Sequence, residues 1–387
     1  MTSANPDRGT AVDHGPRPWV TVEQAVASLA AGGFVIVVDS DDGQATGDVV
    51  FAASLATAER VNFLIREARG VLYLGLTDER CRELELTRMV DGHEPDSWQN
   101  AFTVSIEARH GVTTGISAAD RARTIVVATA PESTAADIRR PGHIFPLRAV
   151  PAGTLGRQGR TEAYVDLPRL AGLYPAGVAA SVINADGSLA RLPELLEFGR
   201  QHDIGVVTVG DVRDHRLRTD ADLLSREAQT TFWNGDLLAT SHRYRDAVHG
   251  RQYVAVSYPG PLGADGGQPV LALTSPCLEG QVLGSLTCDC RARLDEDLCS
   301  LRAAGGVLLW SHDERVCPRV VAVQDDPYDR ALLTAIVSFL GLGPVHLLPS
   351  AEVLRAALSA RGVEVLPGSP AGARSQSPVY VPPPRKA

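Results

Sequence analysis

Phe34-Val35-Ile36-Val37-Val38 is an apolar run of five residues, four of them β-branched. It is too short for a helix and has no polar alternation, so it reads as a strand buried on both faces. Upstream, Thr21 stands three residues before Gln24, the spacing of a capping box, and Val22, Val26 and Leu29 follow at helical intervals. Gly32-Gly33 closes that helix. Downstream, Asp39 to Asp48 is a polar loop containing glycine, placed at a strand end where a scaffold holds functional groups. The alternation continues with helices at 57–68, 78–84 and 192–202 and strands at 70–76, 101–106 and 205–209. Such mixing predicts an α/β (α+β) domain over residues 19–218. The charged, turn-rich stretch Asp211 to Asp222 is the expected boundary, with a second α/β unit over 227–367. Residues 1–18 and 368–387 have no periodicity and are expected to be a disordered leader and tail.

Composition narrows the function. The 387 residues carry 37 Lys plus Arg against 46 Asp plus Glu, a net charge of −9. An acidic surface argues against nucleic-acid binding and docking to anionic lipid. At 44% hydrophobic and 21% charged residues the chain is an ordinary globular one. There is no apolar run long enough to span a membrane and no secretory h-region at the N-terminus, so a cytoplasmic protein is expected. Five of the six cysteines fall between Cys277 and Cys317. A local cluster in a large chain without a signal reads as reduced thiols rather than as a disulfide framework.

Cys277, Cys288 and Cys290 form a Cys-x10-Cys-x-Cys pattern with Gly280 and Gly284 between. Three thiolates and an open fourth position suit Zn²⁺; the competing reading is three small buried apolar side chains. Water, Cys317 or His312 are the candidates for a fourth ligand. The segment His110 to Ser117 is rich in glycine and hydroxyls, and such loops either cradle a phosphate or simply cap a helix. Arg139, Arg140, His143, Arg157 and Arg160 add cationic groups that suit an anionic sugar.

Three stretches together carry a resemblance: Gly111-Val112-Thr113-Thr114-Gly115-Ile116-Ser117-Ala118-Ala119-Asp120-Arg121, Arg140-Pro141-Gly142-His143-Ile144-Phe145-Pro146-Leu147-Arg148 and Asn184-Ala185-Asp186-Gly187-Ser188-Leu189-Ala190-Arg191. They resemble 3,4-dihydroxy-2-butanone-4-phosphate synthase of riboflavin biosynthesis. Gly284-Ser285-Leu286-Thr287-Cys288-Asp289-Cys290 resembles the zinc motif of GTP cyclohydrolase II. The order is that of the bifunctional protein fusing both. The resemblance implies a homodimer that converts ribulose 5-phosphate with Mg²⁺, and a zinc-dependent second domain. It also implies Asp48, Thr114, Arg157 and Thr161 as substrate-binding positions and Cys277, Cys288 and Cys290 as zinc ligands.

The same resemblance exposes departures. The family's acidic loop Asp-Arg-Glu-Asn-Glu-Gly-Asp is Asp42-Gly43-Gln44-Ala45-Thr46-Gly47-Asp48. Gln44 and Thr46 thus replace acids, Arg160 replaces a metal-binding histidine, and Ser181 replaces a catalytic glutamate. In the second domain Ser311 to Pro318 replaces a His-Glu-Gly-Arg-Gly-Ile-Gly-Leu segment, and the part that reads guanine is shortened before Tyr328. Mg²⁺ prefers carboxylate oxygens, and enolisation needs a placed acid and base. The sequence therefore reads as a pseudoenzyme or an assembly or regulatory partner, paired with itself or an active paralogue, whose N-terminal pocket binds a sugar phosphate or other small anion. Two alternatives stand beside it. One is a repurposed enzyme acting on a phosphorylated or purine-derived metabolite; the other is the active bifunctional enzyme.

Overall fold

A computed structural model describes residues 18–90, 102–234, 237–260, 268–283, 288–311 and 327–367. The chain divides into two compact units, Met1–Arg216 and Leu217–Ala387. In the first, seven strands form one mixed sheet: β1 (Val35–Val38), β2 (Gly47–Ala52), β3 (Arg69–Leu76), β4 (Ile106–Ala108), β5 (Ile138–Arg148), β6 (Gly177–Val182) and β7 (Gly205–Thr208). Their order across the sheet is β4-β5-β3-β6-β2-β1-β7.

The FVIVV run explains the layering. All four residues of β1 are fully buried, and the pleat sends them alternately to opposite faces. Ile36 and Val38 join a core with Val49, Phe51, Leu72 and Leu74, covered by helices Ala118–Thr129 and Leu192–His202. Val35 and Val37 join a second core with Val50, Ala179 and Val207, covered by helices Val22–Ala30 and Arg160–Leu170. A sheet with helices on both faces must be apolar on both, which is why β1 shows no alternation. Each fully buried Leu, Ile or Phe here contributes roughly 1.5–3 kcal/mol of transfer free energy.

The first helix ends as its sequence predicts. Gln24 N–H donates to Thr21 Oγ1 at 3.3 Å and Thr21 N–H donates to Gln24 Oε1 at 2.9 Å. Gly32, at φ +80°, takes the left-handed conformation that stops it. Two readings need correction. The strand expected at 101–106 is β4, at Ile106–Ala108; Phe102 and Thr103 make isolated bridges to Leu147 and Arg88. The expected boundary stretch is largely helix, Val209–Thr219: Val209, Val212 and Leu217 are buried, and so are Arg213 and Arg216, the latter paired with Asp166 at 2.8 Å. Residues 1–17, 101 and 368–387 lie outside the described residues.

The second unit also holds a seven-stranded sheet. Strands β8 (Leu224–Asn234), β9 (Leu237–Asp246) and β10 (Gln252–Tyr258) form an antiparallel meander. Strands β11 (Val270–Thr274), β12 (Gly306–Ser311), β13 (Val345–Leu347) and β14 (Val365–Leu366) complete the order β14-β13-β11-β12-β10-β9-β8. Helix Cys290–Ala304 packs on it through Leu301.

Asp297 of this helix is 9% exposed and takes a hydrogen bond from Ser350. Burial pushes its carboxyl up to about 6, outweighing the lowering by Ser350. The folded state therefore favours the protonated form, and this stabilisation is present at pH 4 and lost as pH rises through 6. The group should cost about 3 kcal/mol at pH 7 relative to acid. Asp297→Asn is expected to raise the melting temperature at pH 8 and leave it nearly unchanged at pH 4; equal effects at both pH values would contradict this.

Candidate functional site

The N-terminal candidate site is assembled by sheet register. Asp48, the second residue of β2, sits opposite Val37 of β1 and Ser181 of β6. It is 1% exposed. Its Oδ1 accepts from Ser181 Oγ at 2.5 Å, and its Oδ2 meets Arg160 Nη1 at 2.7 Å and the Tyr164 hydroxyl. Arg160 and Tyr164 lie one turn apart on helix Arg160–Leu170 and so share a face. Arg160 Nε also pairs with Asp39 Oδ1 at 2.9 Å, while Thr46 Oγ1 donates to Asp39 Oδ2 at 2.7 Å. One guanidinium thus joins two carboxylates, and both oxygens of Asp48 are engaged.

The electrostatics follow. Burial alone lowers the basicity of Arg160, but Asp48, Tyr164 and Asp39 around it reverse this and raise its pKa. Burial, reinforced by Asp48, holds Tyr164 well above the usual phenol range. Tyr73 of β3 is raised for the same two reasons and is hydrogen-bonded to Ser181. Sequence reading missed both tyrosines. The i,i+4 spacing of Arg160 and Tyr164 was a signal for the second; Tyr73 reaches the site only because β3 pairs with β6.

Other expected site residues fall around this cluster in different ways. Thr46 joins it through Asp39. Gln44 is exposed on the loop, its N–H on Asp42 Oδ1 at 2.8 Å and its carbonyl receiving Arg191 Nη1 at 2.8 Å. Thr161 is buried at 1% beside Arg160. Arg157 pairs with the fully buried Glu162 at 3.0 Å. Burial raises the Glu162 carboxyl pKa even with Arg157 opposing. Arg160 is not the spare positive charge that the sequence suggests, since Asp48 and Asp39 take it up. Thr114 is exposed on a loop that Asp120 shapes by accepting from Thr113 N–H, Thr113 Oγ1 and Gly115 N–H at 3.0, 2.7 and 3.0 Å. Among the described residues no hydrogen bond links Thr114 to Asp48. His143 Nδ1 of β5 lies 3.0 Å from Glu107 Oε2 of β4.

In the second unit, Cys277, Cys288 and Cys290 present sulfurs that all lie within 4.8 Å of one another. Cys277 and Cys288 are 3.8 Å apart, too far for a disulfide and close to the separation of about 3.8 Å that tetrahedral Zn–S bonds of about 2.3 Å impose. Gly280 N–H donates to Cys277 Sγ at 3.3 Å, and a Cβ on Gly280 would come within 2.4 Å of Cys288 Sγ. The triad is thus a set of donors that could hold a metal, around a turn that only glycine fits. His312 and Cys317 lie outside the described residues, as does most of Ser311 to Pro318. Tyr328 and Asp329 belong to a buried polar network: Tyr328 donates to Asp246, and Asp329 accepts from Tyr253 and, at 2.9 Å, from Arg251.

Two family models match the chain in this order: 3,4-dihydroxy-2-butanone 4-phosphate synthase over residues 23–215 and GTP cyclohydrolase II over residues 225–330. The architecture is that of the two-domain riboflavin-biosynthesis proteins. The chain belongs to the family of bifunctional riboflavin biosynthesis proteins, RibBA. It is 45% identical over 297 residues to the RibBA protein of Synechocystis sp., covering 76% of this chain but 53% of that relative. It is 43% identical over 297 residues to that of Aquifex aeolicus, covering 75% and 71%. With that of Parabacteroides distasonis it shares 34% over 378 residues, covering 90% and 91%. The chain thus spans about half the length of the Synechocystis relative. The crystal structure of RibBX, a two-domain 3,4-dihydroxy-2-butanone 4-phosphate synthase from A. baumannii, superposes with TM-score 0.66 at 33% identity, covering 86% of this chain and 94% of that one. No helix among the described residues is long and apolar enough to cross a membrane.

Proposed function

We propose that this RibBA-family chain serves riboflavin biosynthesis as a catalytically altered member, a pseudoenzyme or an assembly or regulatory partner, rather than as an ordinary synthase and cyclohydrolase. The observation that carries this reading is the closed network around Asp48. Mg²⁺ takes oxygen ligands in near-octahedral geometry and keeps several waters. Here the buried Asp48 carboxylate is engaged by Arg160, Tyr164 and Ser181, and the neighbouring loop positions offer an amide, Gln44, and a hydroxyl, Thr46. These residues do not fit Mg²⁺. An acid and base placed for enolisation are also missing from positions 46 and 181. In the second unit the three thiolates suit Zn²⁺, which would polarise water or hold the fold together. A sugar phosphate or another small anion remains the ligand class for the N-terminal site, and the cytoplasm is the chain's proposed location.

A second reading, the active bifunctional enzyme, is favoured by the 45% identity to a RibBA protein and by the likeness to a two-domain synthase. Incubation of the purified chain with ribulose 5-phosphate plus Mg²⁺, and with GTP plus Zn²⁺, separates the two. Formate and a butanone phosphate, or a ring-opened pyrimidine, would establish the second. A different product from either incubation would instead point to a repurposed enzyme.

The N-terminal unit, taken as residues 19–218, is expected to form a homodimer. It exposes the apolar side chains Val71, Met89, Val90, Ile116, Val126 and Leu189 at 37–67%. Closed two-fold pairs are the commonest soluble assemblies. Light scattering at micromolar concentration should give twice the chain mass, and a monomeric mass would rule the pairing out.

A further inference from the structure

We infer that Arg160 is a resident counter-ion that takes the place of a divalent cation in the N-terminal pocket, so that the pocket is charge-balanced by its own chain and insensitive to Mg²⁺ and to chelators. The inference rests on the altered-member reading but concerns binding rather than turnover. Asp48 is 1% exposed, and an isolated ionised carboxylate so placed is costly unless paired. Its compensation comes from 112 residues away in sequence, where the helix at Arg160 begins. The guanidinium bridges Asp48 at 2.7 Å and Asp39 at 2.9 Å, tying the loop after β1, the strand β2 and that helix into one unit. A divalent ion does this elsewhere by binding two or more oxygens at once; the planar fork of arginine does so here with fixed donors. Ser181 and Tyr164 also donate to Asp48, so that each of its oxygens already accepts from the chain's own donors. A cation entering the pocket would also approach a guanidinium that cannot deprotonate.

The test uses the full chain with its second unit saturated with zinc, so that added metal reports on the first. Mn²⁺ serves as the probe for Mg²⁺, and free Mn²⁺ is read by electron paramagnetic resonance. The unaltered chain should show no saturable Mn²⁺ site, and its melting temperature should not move with added Mg²⁺. Arg160→His with Gln44→Glu, which removes the guanidinium and adds a carboxylate and an imidazole, should gain one site, binding at least about tenfold tighter than the parent. Arg160→Gln should lower the melting temperature by about 5–10 °C, since it leaves Asp48 buried without its charge partner, and Arg160→Lys should recover part of the loss. A stoichiometric Mn²⁺ site in the unaltered chain, or an unchanged melting temperature in Arg160→Gln, would overturn the inference. So would a folded Arg160→His/Gln44→Glu chain without a Mn²⁺ site. Formate production is read separately: formate without a Mn²⁺ site would sink the altered-member reading and spare this one, and a silent chain with a Mn²⁺ site would do the reverse.

Discussion

Replacing Cys288 by serine is expected to strip the second unit of its metal and to lower its melting temperature by on the order of 10 °C. The unaltered chain should carry about one zinc per molecule, held by Cys277, Cys288 and Cys290. The reason for so large an effect is that metal affinity is folding free energy: the thiolates converge within 4.8 Å only in the folded turn, so the ion binds the native state almost alone. Gly280→Ala tests the same turn without touching a ligand. Its Cβ would sit 2.4 Å from Cys288 Sγ and must push that sulfur away, so zinc affinity should fall by about 10- to 100-fold. Elemental analysis and thermal melts with and without a chelator check both variants. A zinc-free chain whose melting curve ignores the chelator would remove the assignment. The same zinc-loaded protein should leave GTP intact, since zinc can polarise water without selecting a purine. Appearance of a ring-opened pyrimidine would show the site to be complete.

Formate release from ribulose 5-phosphate should fall at least about 10⁴-fold below that of a working synthase, since general acid–base catalysis is itself worth about 10²–10⁴ and metal polarisation adds several kcal/mol. The positions concerned are Gln44, Thr46, Arg160 and Ser181, and two of them, Arg160 and Ser181, are tied to Asp48 by short hydrogen bonds. Single replacements are therefore not expected to rescue turnover. Mass spectrometry of the products, with 5-phosphate sugars supplied in excess, decides the matter; formation of the butanone phosphate at an ordinary rate would refute the reading.

Local rules account for what is legible in the sequence. The capping box at Thr21 and Gln24, the helix Leu192–His202 and the buried run of β1 depend on neighbours within a few residues, and each appears where its pattern lies. The cysteine spacing foretold the triad for the same reason: two ligands sit two residues apart, and the third lies beyond one turn. Helix Val209–Thr219 escaped notice because its apolar face is narrow and its charges mimic a loop. Strand β4 was misplaced because a three-residue edge strand carries almost no pattern of its own.

The sequence by itself determined the mixed α/β character, the two-domain order and the family, since all of these lie in short contiguous stretches. Tertiary structure alone decided which of the altered positions stand against Asp48. Arg160 reads as a free cation until the pairing of β2 with β6 and the seating of the helix at Arg160 bring Asp48, Ser181, Tyr164 and Tyr73 together. Whether a charge is spent or available depends on partners more than a hundred residues away, and on a burial that makes pairing obligatory. No spacing rule along the chain encodes either.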